Sequence, residues 1–327
     1  MTRNNDSRMK DTSTMVALGA LAVATAALVV PSMVKRREDA PSMNGSRPKK
    51  PSESGHEAIN GVNYYYEIHG HGDPLVLFHG ALGSMEMFGP VRSMLARERE
   101  VISVDLHGHG RTALGERAIN VNEMADDLAV LMDRLDVDRA DAIGYSLGAD
   151  VAFRLAVQHP ARVRRLVLVS SAFSREGFHP EINAMREQMN AAMADSMRHT
   201  PMYLSYAAIA PDPGEFPILL DRVGEWMRIP YDWEDDVSKL AMPAMLVYGD
   251  SDAIRPDHIA KFYRLLGGGM RDAGWAREYM SPNRLAILPG RTHYDIFFAP
   301  ELARTALPFL EGETSTRNWT DMVEELE

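Results

Sequence analysis

The chain has 327 residues, 45% hydrophobic and 25% charged, an ordinary globular composition with ample apolar material for a buried core. Its net charge of −11 comes without a basic stripe, which excludes the phosphate contacts of a nucleic-acid partner. Cysteine is absent, so disulfides, thiolate metal sites and a cysteine nucleophile are excluded, while the redox compartment stays open.

In chain order, residues 1–13 read as an N-terminal tail carrying Arg3, Arg8 and Lys10. Residues 14–34 are uncharged and apolar, and with their flanks they reach the roughly 20 residues that a bilayer span needs. No A-x-A pattern follows the apolar run, which favours a retained single-span membrane anchor over a cleaved export signal or a cytoplasmic chain. The basic residues after the span and the signal-like residues before it point to opposite orientations, so the side of the membrane stays open. Residues 35–58 are rich in Pro, Ser, Lys and Arg and are expected to form a disordered linker.

From Ile59 onward strands and helices alternate. Val62–Ile68, Leu75–Phe78, Val101–Val104, Ala142–Gly144, Val163–Val169, Ala244–Tyr248 and Leu285–Leu288 read as strands. Asn122–Leu135 and Leu147–His159 between them read as helices. Continuous apolar strands separated by helices predict an α/β fold, a mostly parallel sheet covered on both faces, with ligands at the carboxyl ends of the strands. Residues 174–238 break the alternation and predict a helical cap. Met185, Met189, Met193 and Met197 recur every four residues there, as on one helix face. The resulting division is 59–173 and 239–312 for the core, 174–238 for the cap and 313–327 for a C-terminal tail. The extension at 267–283 reads as a loop near the site.

Gly144-Tyr145-Ser146-Leu147-Gly148 fits G-x-S-x-G between an apolar strand and a helix. A sharp turn there presents a serine hydroxyl at a helix N-terminus, where free N–H groups favour negative charge. A serine hydroxyl needs a base, and the base needs an orienting acid. His293 follows the last strand, and Asp250 and Asp252 follow Ala244–Tyr248. Asp250 falls in the turn itself, which leaves Asp252 as the expected acid. The Gly-rich turn after Phe78 exposes backbone N–H groups, so Ala81 and Leu147 are the expected oxyanion donors. Leu82, Tyr145, Met185 and Met189 are the expected substrate contacts. His79 reads as a structural histidine. Asp105, His107 and His109 lack further clustered ligands, so a Gly-rich structural loop is expected there and no metal.

The pieces FHGALGS, VDLHGHGRT, GYSLGAD, YGDSDAIRP and LPGRTH together resemble the α/β-hydrolase superfamily over about 59–310. The resemblance implies that the last strands supply Asp252 and His293, that a cap follows the sixth core strand, and that no cofactor is needed. Serine at position 146 departs from the aspartate-nucleophile members and argues against their dehalogenase and epoxide hydrolase chemistry. The expected function is hydrolysis of a small carboxylic ester through an acyl-enzyme. Lactonase, carbon–carbon hydrolase, perhydrolase and acyltransferase chemistry use the same residues, and a non-catalytic ligand-binding member is the alternative of another class.

Overall fold

The computed structural model of the protein describes residues 50–312. The expected tails, the apolar segment 14–34 and residues 35–49 of the linker lie outside them. The expected localisation is corrected: among the described residues no helix is long and apolar enough to cross a membrane. The longest described helix, Val121–Arg134, has 14 residues. It spans about 21 Å, against a bilayer core of about 30 Å.

Eight strands form one sheet in the order β1-β2-β4-β3-β5-β6-β7-β8. β1 (Glu53–Ile59) and β2 (Val62–Gly70) are an antiparallel hairpin turned by Asn60 and Gly61, both with positive φ, as a two-residue hairpin requires. Linker composition hid β1: Glu53 to Ala58 are polar or small, and pairing with the aromatic run Tyr64–Tyr66 orders them.

β3 (Asp73–Phe78), β4 (Arg99–Val104), β5 (Ala140–Tyr145), β6 (Val163–Val169), β7 (Ala244–Ser251) and β8 (Arg284–Thr292) run parallel. β3 lies between β4 and β5, so the strand order reverses there, the place where open α/β sheets take their ligands. Helices α1 (Pro90–Leu95), α2 (Val121–Arg134) and α3 (Leu147–Gln158) connect the first parallel strands. One core forms on the sheet face covered by α2 and α3, through Met124, Leu128, Val151 and Phe153. The other forms under α1 and the C-terminal helix Pro300–Leu310, through Val91, Leu95, Leu302 and Phe309.

The chain between β6 and β7 is helical, in α4 (Pro180–Gln188), α5 (Ala194–Met197), α6 (Pro201–Ile209), α7 (Phe216–Arg228) and α8 (Glu234–Val237). A β-bridge between Ser174 and Asp232 closes its base. The four methionines do not share one helix face: α4 ends at Gln188, and Met189 turns to an extended ψ of 118°. Met189 and Met197 are buried in the core while Met185 is half-buried. The extension 267–283 is also displaced from expectation. It precedes the amino end of β8, and the Asn283 side chain accepts from Ala244 N–H (2.7 Å) at the amino end of β7, so its root lies opposite the strands' carboxyl ends.

Candidate active site

Ser146 sits between β5 and α3 with φ 51° and ψ −117°, a conformation that non-glycine residues rarely adopt. The strain follows from close packing at the turn. A Cβ on Gly144 would come within 2.1 Å of Gly148 O, and one on Gly148 within 2.2 Å of Phe78 O. The Ser146 N–H donates to Val169 O (3.0 Å), which ties the turn to the end of β6.

His293 follows β8 and is nearly buried. Its Nδ1 donates to Asp252 Oδ1 (3.0 Å), which leaves Nε2 to accept from the Ser146 hydroxyl (3.2 Å). Burial works against the charged form of Asp252. Hydrogen bonds from His293, Ser170 and the Gly249 N–H, with the imidazole's electrostatic influence, outweigh it and hold the carboxyl below its ordinary range. Asp250 is exposed and turned away: Oδ2 accepts from the Gly290 N–H (3.0 Å).

Ala81 and Leu82 lie at the corner of a turn closed by Gly83 N–H to Gly80 O (3.3 Å). Leu147 opens α3. Among the described residues the N–H groups of Ala81 and Leu147 have no acceptor. His79 holds this turn: Nδ1 donates to Gly80 O (2.7 Å) and Nε2 accepts from the Leu106 N–H (2.9 Å). Burial lowers its pKa, which suits a neutral structural ring. Asp105 accepts from the N–H groups of Met85 and Arg111 and from the Arg111 guanidinium, while His107 and His109 bond backbone carbonyls. The DLHGHGRT segment is thus a buttress for the turn.

Leu82 is buried beside this turn. Tyr145 is also buried, and its hydroxyl donates to His293 O (2.6 Å) while its ring packs on His293 and Phe297. That support for the histidine loop has no sequence signal beyond the residue's place in the motif. Nor did sequence reasoning single out Ser170, whose hydroxyl donates to Asp252 Oδ2 (2.5 Å). Its position at the carboxyl end of a parallel strand is the one clue that could have flagged it.

Asp150 follows Ser146 by one helical turn and is buried; burial pushes its carboxyl up to about 8, opposed by the Arg186 guanidinium. Arg186, on α4, lies over Phe178, and its Nε has no acceptor among the described residues. Because the folded state raises the Asp150 pKa, the fold favours the protonated form. That stability is full below the unfolded pKa of about 3.9 and is lost as pH rises towards 8. Asp150→Asn, which cannot ionise, is therefore expected to gain on the wild type by up to about 1.4 kcal/mol per pH unit across this window. Unfolding curves at pH 5 and pH 8 check it. A stability difference that does not change with pH would rule out a raised pKa for Asp150.

The family described as alpha/beta hydrolase fold matches residues 73–201. A putative carbamate hydrolase, RutD, from Azorhizobium caulinodans is 27% identical over 229 residues, covering 65% of this chain and 84% of that protein. A pimeloyl-[acyl-carrier protein] methyl ester esterase from Legionella pneumophila is 25% identical over 250 residues, covering 72% and 96%. Among solved structures, the enol-lactonase from Burkholderia xenovorans LB400 superposes with a TM-score of 0.61 at 21% identity, covering 78% of this chain and 99% of that one. At that identity the likeness is one of fold alone.

Proposed function

The chain belongs to the α/β-hydrolase superfamily, and from that premise we propose that it cleaves a small carboxylic ester through an acyl-enzyme on Ser146. The chain is a hydrolase, as its fold and its relatives indicate. The observation that carries the finer reading is the His293 imidazole, which spans Ser146 and Asp252 at 3.2 and 3.0 Å.

The Ser146 hydroxyl attacks the ester carbonyl carbon as His293 Nε2 takes its proton. The carbonyl oxygen becomes an oxyanion, for which the N–H groups of Ala81 and Leu147, without an acceptor among the described residues, are our candidate donors. Collapse breaks the bond to the alkoxy group, which leaves as alcohol with the proton from His293. Water then attacks the acyl-serine by the same route and releases the acid. Asp252 keeps Nδ1 protonated and offsets the charge on the imidazolium. Leu82, Tyr145, Met185 and Met189 are our candidates for the walls of the substrate site, and residues 174–238 for the cap above it.

A panel of aryl esters of graded acyl length, lactones and a β-diketone tests the reaction class. Expected are turnover of short aryl esters, a burst of phenol matching the enzyme concentration where deacylation is slow, and covalent labelling of Ser146 by a fluorophosphonate. Labelling without turnover of any ester would move the activity to another bond type. Absence of labelling would remove the acyl-enzyme.

A further inference from the structure

Two neighbouring groups at the end of β6 reach the two halves of the site. Val169 O accepts from the N–H of Ser146, and the next residue, Ser170, donates its hydroxyl to Asp252 Oδ2 at 2.5 Å. We propose that Ser170 is a positioning residue for the reaction, fixing the Asp252 carboxylate towards His293. This inference rests on the reading of Ser146, His293 and Asp252 as the reacting set.

The hydrogen bonds of Asp252 divide cleanly. Oδ1 accepts from His293 Nδ1 (3.0 Å) and from the Ile254 N–H (3.2 Å); Oδ2 accepts from Ser170 (2.5 Å) and from the Gly249 N–H (3.2 Å). The Ile254 and Gly249 donors lie within three residues of the acid on the same stretch of chain, so they are local to it. Ser170 follows another strand, β6, and among the described residues is the one non-local donor besides His293. It therefore registers the acid loop against β6, and through Val169 against the nucleophile. Its bond is the shortest of the four and falls in the range of charge-assisted O–H···O⁻ contacts.

Ser170 also holds a left-handed backbone, φ 53°, although fully buried on a packed strand end. Its N–H donates to Val247 O (2.9 Å), which fixes that conformation against β7. Glycine suits such a backbone better than serine does, yet glycine would bring no hydroxyl. A strained conformation in a residue that donates to the acid is the pattern expected when geometry serves the site and not the fold.

The test uses the full chain and three single variants, Ser170→Ala, Ser170→Gly and Asp252→Asn, with the double variant Ser170→Ala/Asp252→Asn. Expected for both Ser170 variants is a fall in kcat of about ten- to a hundredfold with KM little changed, the loss of one hydrogen bond to a charged group. Ser170→Gly, which relieves the backbone, should melt no lower than Ser170→Ala and still lose turnover. In the Asp252→Asn background, removing the hydroxyl should cost no more than about twofold, because the carboxylate it positions is gone. Full activity in Ser170→Ala or Ser170→Gly overturns the proposal, as do losses that multiply in the double variant. If Asp252→Asn alone keeps full activity, the reading of the reacting set fails first, and this inference with it.

Discussion

Ser146→Ala lowers kcat/KM for the preferred ester by at least about a thousandfold while leaving the fold intact, the scale expected when the nucleophile of such a set is removed. Alanine keeps the Cβ and changes nothing in the packing of Gly144 and Gly148. It also keeps the unfavourable backbone at φ 51°, so its melting temperature should stay near the wild type. Ser146→Gly separates the two roles of the residue. Glycine accepts positive φ, so it should be as inactive and more stable, by about 1–3 kcal/mol if the strain is fully released. Steady-state kinetics and thermal unfolding of both variants, with wild-type protein as reference, check these outcomes. A folded Ser146→Ala protein that turns over ester at the wild-type rate would place the nucleophile elsewhere.

The sheet was legible in the sequence because its parallel strands are short apolar runs, several of them ended by Gly, His or Asp, as at His79, Asp105 and Gly249, and that punctuation marks the carboxyl ends where the chemistry gathers. Strand β1 was not legible, since Glu53 to Ala58 carry no apolar pattern and are ordered only by the partner strand. The four-residue methionine spacing looked like one helix face, but local periodicity cannot show that Met189 leaves the helix, where its carbonyl accepts from Arg228 instead (2.9 Å). The loop at 267–283 was misplaced for a different reason. Its place before the last strand does not bring it to the site, because a whole strand, β8, separates it from His293. Geometry brings Ser146, Asp252 and His293 together from positions that motif spacing already singled out. What spacing could not supply are contacts made by ordinary residues: the Ser170 hydroxyl, the Tyr145 phenol and the buried Asp150.

The two aspartates at the carboxyl end of β7, Asp250 in the last residues of the strand and Asp252 just past it, give the sharpest division of roles. Asp252→Asn is expected to cut kcat by about three to four orders of magnitude with modest loss of stability. The amide is nearly isosteric, so the loop can keep its shape, but its NH2 cannot accept the His293 Nδ1–H, and an amide oxygen does not balance the imidazolium charge. The wild-type carboxyl is held below its ordinary range, so its contribution to stability is present above the unfolded pKa of about 3.9 and is lost as pH falls through the folded value. The asparagine variant should lose that acid-side dependence, which unfolding curves between pH 3 and pH 6 would register. Asp250→Asn is expected to do the reverse. Asp250 is exposed and accepts from the Gly290 N–H (3.0 Å), pinning the β8 end to the β7 turn three residues ahead of His293. Losing part of that bond should cost about 0.5–1.5 kcal/mol, a shift of about 1–6 °C in Tm, and leave most of kcat. The comparison is decided by kinetics and melting of the two variants side by side. Were Asp250→Asn the more damaging to kcat, the carboxylate facing His293 in solution would have to be Asp250, and the bond between Asp252 and the imidazole would not be the one that orients the base.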